Sequence, residues 1–162
     1  MAEWKRICCG LDFSQASRYA LDEAVDVAAR MDASLDLVHV HQPGPLVPGA
    51  LLAGPADAQS AEAVELDEVM HGWCEEAEAR LGRRVVGHLL QGGVAEELLR
   101  FARDNAMQLI VVGTKGRHGL GRLLLGSVAE RVVREAPCAV LVSRHRPEGL
   151  ESDREEAAQY AH

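Results

Sequence analysis

The sequence predicts an α/β domain in which helices cover both faces of a parallel sheet. Three observations support this: five short apolar segments have the length of buried strands, amphipathic segments of helical period separate them, and glycine or proline marks several junctions. Strands that alternate with helices in this way form βαβ units with right-handed crossovers. In such sheets, ligands bind beyond the carboxyl ends of the strands.

The first strand and the first helix are marked by clear boundaries. The apolar run RICCGL, residues 6–11, is followed by Asp12, and Ser14 is a typical N-cap for the next element. Over residues 15–31, apolar side chains recur near helical spacing and charged side chains fall between them, which predicts an amphipathic helix. The segment SLDLVHV, residues 34–40, predicts the second strand.

The centre of the chain is less regular. Residues 41–59 are rich in proline, glycine and alanine without a clear period, which predicts a long surface loop. A second helix is expected over about residues 60–81, and Gly82 lies near its end. The candidate core positions of this helix are Val64, Leu66, Val69, Met70 and Trp73. The segment RVVGHLL, residues 84–90, predicts the third strand.

The last third of the chain repeats the helix and strand pattern. Residues 94–106 predict a third helix, and LIVVG, residues 109–113, predicts the most buried strand. The buried face of the third helix is expected to comprise Leu98, Leu99, Phe101 and Ala102. A fourth helix over 127–136 and a last strand over 138–143 complete a domain of residues 1–146. Residues 147–162 are charged and predict a solvated, disordered tail.

Composition limits the classes of function. A chain of 162 residues with 48% hydrophobic content is sufficient for one domain, and its net charge of -8 disfavours nucleic acids and anionic membrane surfaces as partners. There is no signal-peptide pattern and no apolar run that approaches the roughly 18 residues of a membrane span, which predicts a cytoplasmic protein without membrane insertion. The cysteines lack C-x-x-C spacing, so buried thiols are favoured over disulfides or metal ligands: Cys8, Cys9, Cys74 and Cys138.

The segment GTKGRHGLGRLLLGS, residues 113–127, carries five glycines and no carboxylate. It is not a Walker A loop, because Arg122 stands where the lysine belongs, and it is not a dinucleotide fingerprint, because Leu124 replaces the third glycine. Gly126 and Ser127 instead open a predicted helix, whose free N–H groups and dipole favour an anion. A phosphate-binding loop is therefore predicted, with a packing or turn role for the glycines as the alternative.

The spacing G-x2-G-x9-G-S, formed by Gly113, Gly116, Gly126 and Ser127, resembles the nucleotide-binding motif of the universal stress protein family. The resemblance covers about residues 4–143 and includes LDFSQAS, LVHV and GSVAERVVREAPCAVLVS. It implies a single, open, Rossmann-like domain with five parallel strands in the order 3-2-1-4-5. In members with this motif, it also implies binding of ATP or of a related nucleotide, ADP or AMP, together with Mg²⁺.

The resemblance also implies individual site residues. The implied contacts of the adenosine are Gly10, Leu11, Asp12 and, beside the base, Val40. The implied contacts of the ribose and phosphates are Gly113, Gly116, Arg117, Gly126, Ser127 and Val128. The Ser127 hydroxyl is also a candidate ligand of the Mg²⁺ that accompanies the triphosphate. The chain departs from the family pattern near Gly10, where many members carry proline or valine.

Several polar residues have two interpretations. Asp12 either accepts hydrogen bonds from a ligand or caps the following helix. His39 and His41 share one face of a strand without an evident third ligand, so a structural or surface role is favoured over a metal site. Three residues of the glycine segment either approach the phosphates or face water: Lys115, His118 and Arg122.

The leading hypothesis is an ATP-binding sensor or regulator of the stress response. At most slow ATP hydrolysis or autophosphorylation is expected, because no Ser-His-Asp or Cys-His arrangement is evident. Two alternatives remain open: a nucleotide-independent interaction protein that uses residues 41–59 or the acidic tail, and a small nucleotidyl-transfer enzyme. The resemblance further implies a homodimer that pairs through the last strand, residues 138–143, whose apolar edge favours pairing.

Overall fold

The computed structural model describes residues 4–42, 55–114 and 125–144, and side chains in the second helix from residue 63 onward. Within these ranges, five parallel strands form one sheet in the order β3-β2-β1-β4-β5, which confirms the predicted α/β architecture and strand order. The elements are β1 (Arg6–Leu11), α1 (Gln15–Met31), β2 (Ser34–His41), α2 (Pro55–Leu81), β3 (Val85–Gln91), α3 (Val94–Asp104), β4 (Leu109–Gly113), α4 (Ser127–Glu135) and β5 (Ala139–Ser143).

The central strand β1 separates the two halves of the sheet. From β1 the chain proceeds outward to β2 and β3, and α3 then returns it to the opposite side of β1, where β4 and β5 follow. The order therefore reverses between β1 and β4, and the segments that leave these strands lead to helices on opposite faces. This reversal creates a crevice at the carboxyl edge of the sheet.

Two apolar clusters enclose the sheet. In β1, Ile7, Cys9 and Leu11 pack toward α1 and α2, whereas Cys8 packs toward α3 and α4. Because side chains of a strand alternate between faces and both faces are covered, β1 and β4 are apolar along most of their length. Each fully buried aliphatic side chain contributes about 1.5–3 kcal/mol relative to its exposed state.

Helix α1 begins and ends as its sequence indicates. Ser14 is the N-cap, as predicted, and its side chain accepts a hydrogen bond from the N–H of Ser17 at 3.3 Å. At the other end, Asp32 has a left-handed backbone with φ 51°, and its N–H bonds to the carbonyl oxygen of Ala28. Both ends of the helix are therefore capped by local hydrogen bonds.

Helix α2 differs from the prediction in its first residue and in the face that packs on the sheet. It begins at Pro55 and not near residue 60, so part of the predicted loop 41–59 is helical, and proline is well suited to a first helical position. Residues 43–54 of that predicted loop lie outside the described residues. Val64 and Val69 are 59% and 37% exposed, so they were wrong as core candidates. The face packed on β3 comprises Met70, Trp73, Cys74 and Ala77.

Smaller differences concern element ends. β2 extends one residue further than predicted because His41 pairs with Gln91 of β3. α3 ends at Asp104, two residues early, because Ala106 adopts a left-handed backbone with φ 49°. The predicted tail, 147–162, lies outside the described residues. Among the helices of the described ranges, none has the length and apolar character required to traverse a membrane.

The four cysteines all lie in the described ranges and are free thiols. Cys8, Cys9 and Cys74 are buried, as predicted, and Cys138 is half-buried. Burial raises the pKa of Cys8 and Cys9 strongly and raises the pKa of Cys74 to about 11. These groups are therefore protonated at neutral pH and pack as small apolar side chains.

Candidate functional site

A cavity of about 400 Å³ lies at the carboxyl edge of the sheet, at the ends of β1 and β4. Of the ten site residues that the sequence predicts, eight line this cavity: Gly10, Leu11, Asp12, Val40, Gly113, Gly126, Ser127 and Val128. The other two, Gly116 and Arg117, lie outside the described residues. The same is true of Lys115, His118 and Arg122. The fold thus brings together residues that are more than one hundred positions apart in the chain.

Part of the cavity wall is apolar. Val38 and Val40 of β2, Val112 of β4 and Leu98 of α3 line it, and all four belong to the apolar cluster between the sheet and α3 and α4. These side chains are at most 6% exposed, so their positions are fixed by packing. Such a wall is suited to the face of a flat, weakly polar group.

A carboxylate is held at the end of β1 by the first turn of α1. Asp12 Oδ1 accepts hydrogen bonds from the Ser14 N–H at 3.0 Å and from the Ser17 hydroxyl at 2.5 Å. The Ser17 hydroxyl in turn accepts the N–H of Asp12 at 2.8 Å. Because Ser17 is 4% exposed and also lines the cavity, this reciprocal pair fixes the carboxylate at the cavity edge. The two interpretations of Asp12 are therefore compatible, since it both organises the helix start and borders the cavity.

The residue after Asp12 has a strained backbone. Phe13 has φ 59°, which bulky residues seldom adopt. Its ring stacks on His39 at 4.6 Å between centroids and meets the Trp73 ring edge-on at 5.4 Å. His39 Nδ1 lies 2.9 Å from the carbonyl oxygen of Leu11, and since a carbonyl can only accept, Nδ1 carries the proton. This aromatic group holds the β1–α1 turn rigid, and His39 has the structural role that the sequence favoured.

The start of α4 forms another part of the cavity lining. The Gly126 N–H donates to the Thr114 carbonyl at 2.7 Å, and the Thr114 N–H donates to the Ser143 carbonyl at 3.0 Å, which fixes both ends of the intervening segment. The N-cap is Gly126, which has no side chain to cap the helix. The first N–H groups of a helix lack intrahelical acceptors, and here they belong to cavity-lining residues: Ser127, Val128 and Ala129.

The starts of α3 and α4 both lack a side-chain cap and both begin at a cavity-lining residue, and they differ in the carboxylates of their first turns. The N-cap of α1, Ser14, uses its own side chain as an acceptor, and α3 has Glu96 and Glu97 in its first turn. The first turn of α4 includes Glu130, but this side chain is exposed and lies 3.9 Å from Arg134. The partial positive charge of the α4 terminus therefore faces the cavity and favours an anionic ligand there.

The absence of a side chain at Gly113 has a packing reason. The sequence predicted a phosphate-binding loop here and left a packing or turn role for the glycines as the alternative. A Cβ at Gly113 would lie 2.8 Å from the carbonyl oxygen of Ala16 and 3.0 Å from its carbonyl carbon. The glycine is required because α1 packs against the end of β4, and only its main chain borders the cavity.

Comparison with known proteins places the chain in a family. The model named Universal stress protein family matches residues 3–144. The chain belongs to the universal stress protein family. It is 33% identical over 118 residues to Universal stress protein A homolog 1 of Coxiella burnetii, and this match covers 72% of the present chain and 80% of the relative.

Solved structures of universal stress proteins share the fold. The protein from Lactobacillus plantarum has a TM-score of 0.79 and 26% identity, covering 89% of this chain and 100% of its own. A universal stress protein in complex with cAMP has a TM-score of 0.65 and 22% identity, covering 88% and 98%. The protein from Archaeoglobus fulgidus in complex with dAMP has a TM-score of 0.63 and 19% identity, covering 88% and 99%. At this identity, the last two establish similarity of fold.

Sequence reasoning missed eight lining residues of the cavity in this universal stress protein: Ser17, Val38, Gln42, Val94, Leu98, Val112, Thr114 and Ala129. Ser17 carries a signal in hindsight, because it stands three positions after the N-cap, where a capping box has an acidic residue or glutamine. Leu98 was identified only as a core residue of α3, although it also borders the cavity. Thr114 had no sequence signal, because its role depends on the hydrogen bonds of its main chain.

Proposed function

We propose that this universal stress protein binds an adenine nucleotide in the cavity, with ATP and Mg²⁺ as the principal ligand, and acts as a nucleotide-dependent sensor or regulator of the stress response. The observation that carries the proposal is that two parts of the cavity lining suit different chemical groups. Its apolar wall of Val38, Val40 and Leu98 is suited to a base, and the start of α4 is suited to phosphate.

Asp12 defines the orientation of the nucleotide. A carboxylate repels phosphate, so the phosphates are expected at the α4 terminus, next to Ser127 and Val128. Asp12 can accept hydrogen bonds from ribose hydroxyls or from an amino group, which are the neutral donors of a nucleotide. The base then lies against Val38 and Val40. Gly116 and Arg117 are further proposed contacts of the ribose and phosphates.

The nucleotide complexes of two relatives support the choice of ligand. The ligands cAMP and dAMP share an adenine, a sugar and a single phosphate, and differ in the sugar hydroxyls and in phosphate cyclisation. Proteins of the same fold thus accept adenine with differently arranged phosphates. A site defined by an apolar wall and a helix terminus is compatible with such variation, because neither feature depends on the number of phosphates.

Mg²⁺ is expected to bind mainly through the nucleotide. Among the described residues there is no group of three His, Cys, Asp or Glu side chains suited to a metal ion. Mg²⁺ commonly uses phosphate oxygens and water with few protein ligands, and the Ser127 hydroxyl at the start of α4 is an oxygen donor of the required type. When bound, the ion would neutralise phosphate charge, while the helix terminus and Asp12 orient the two ends of the nucleotide.

The binding proposal is tested by isothermal titration of the wild-type protein with ATP, ADP, AMP and adenosine, with and without Mg²⁺. We expect one nucleotide per chain, and we expect nucleotide released from the purified protein on denaturation to contain adenine. Absence of both bound and titratable adenine nucleotide would reject the proposal and favour the nucleotide-independent interaction protein. Rapid metal-dependent transfer to an acceptor would favour the nucleotidyl-transfer enzyme instead.

We also propose a homodimer that pairs through β5. This strand is at one edge of the sheet, and its central residues Val140, Leu141 and Val142 are half-buried in the single chain. An open apolar edge favours pairing with a second copy. Sedimentation velocity should give a mass twice that of the 17.5-kDa chain, and a monomer at micromolar concentration would contradict this proposal.

A further inference from the structure

The apolar wall of the cavity includes a close contact between Gly10 and Leu98. A Cβ at Gly10 would lie 2.9 Å from Leu98 Cδ2 and 3.2 Å from Val112 Cγ1. Leu98 therefore rests directly on the main chain of β1, in the space that a side chain at position 10 would occupy. All three residues line the cavity, so this contact is part of its wall.

Leu98 has two roles because of this contact. It is 2% exposed and belongs to the core between the sheet and α3, yet its side chain also borders the cavity. A methyl group at position 10 would displace the end of the Leu98 side chain, which can rotate, whereas the main chain of β1 is fixed by its pairing with β2 and β4. Because the surrounding core is closely packed, the displaced end of the Leu98 side chain would move into the cavity.

We propose that the contact between Gly10 and Leu98 sets the room for the base and makes the site prefer purine to pyrimidine nucleotides. The inference rests on the proposed function. A purine has two fused rings and covers more of the apolar wall than the single ring of a pyrimidine, so it gains more from burial and needs more room. A wall shifted inward by Leu98 would exclude part of a purine while still accommodating a pyrimidine.

The test compares AMP and UMP binding to the wild type, Gly10→Ala and the double variant Gly10→Ala/Leu98→Val by isothermal titration. We expect Gly10→Ala to weaken AMP binding about tenfold, as is typical of one methyl group too many in a pocket, and UMP binding less than threefold. Leu98→Val removes one methylene, so the double variant should regain most of the AMP affinity. Recovery in the double variant would identify the Leu98 side chain as the cause.

A matched control is Gly72→Ala in α2, where an added methyl group would meet no atom within 4 Å and where neither Gly72 nor its chain neighbours line the cavity. It should bind AMP and UMP as the wild type does. Equal losses of AMP and UMP affinity in Gly10→Ala, or no loss of either, would overturn the inference while leaving the nucleotide site intact. If the wild type binds neither AMP nor UMP, both the proposed function and this inference are wrong. Circular dichroism establishes that each variant is folded.

Discussion

Replacing Ser127 with aspartate should weaken AMP and ATP binding about a hundredfold without lowering the stability of the fold. Ser127 is the first residue of α4 and lines the cavity, so the new carboxylate would lie at the proposed phosphate position. At about 5 Å and an effective dielectric constant of about 20, two like charges repel by about 3 kcal/mol. This energy corresponds to about two orders of magnitude in the dissociation constant. An acidic residue in a first helical turn also stabilises the helix, by about 0.5 kcal/mol.

The expected combination of weaker binding and unchanged or higher stability separates this effect from misfolding. Isothermal titration with AMP and thermal unfolding of the same sample measure the two quantities. Ser127→Asn is the control of similar size without the charge, and adenosine is the control ligand without phosphate. Both should show much smaller losses, and the loss for AMP should shrink as salt is added. If adenosine and AMP lose affinity equally, the phosphate does not lie at the start of α4.

The architecture could be predicted because the first half of each βαβ unit has clear local signals. β1 and α1 have the predicted bounds, since an apolar run, a serine cap and helical periodicity all agree there. α2 could not be placed in the same way. This helix carries Val64 and Val69 on its exposed side, so apolar periodicity does not reveal the face that packs on β3. The tertiary contact with Gly87, whose missing Cβ admits Met70 and Cys74, decides the register.

The sequence predicted many residues of the candidate site but not the arrangement of the side chains around it. The spacing of Gly113, Gly126 and Ser127 indicated an anion-binding helix start, and these residues do line one cavity. The aromatic support of the β1–α1 turn could not be foreseen, because Phe13 has a positive φ that its residue type disfavours and that packing against His39 and Trp73 stabilises. Sequence patterns report average preferences, whereas such strained positions depend on the assembled fold.

Gly113→Ala is expected to lower the free energy of unfolding by about 3 kcal/mol, at the upper end of the cost of an added methyl group in a packed core. The methyl group would lie 2.8 Å from the Ala16 carbonyl oxygen, and this neighbour is main chain and cannot rotate away. The first turn of α1 would have to move away from β4, or the end of β4 would have to shift. Either movement disturbs the hydrogen bonds from Thr114 to Ser143 and from Gly126 to Thr114 that fix the segment before α4.

Urea unfolding of Gly113→Ala and Gly72→Ala measures this cost against a matched control. Gly72 lies within α2, and a Cβ there would meet no atom within 4 Å. The same change at that position should therefore stabilise the protein by about 0.5–1 kcal/mol, because alanine is the better helix former. If both variants were equally stable, α1 would accommodate the methyl group at position 113 without a loss in the free energy of unfolding. The glycine at the start of the motif would then be explained by ligand approach, because no packing demand would remain to require it.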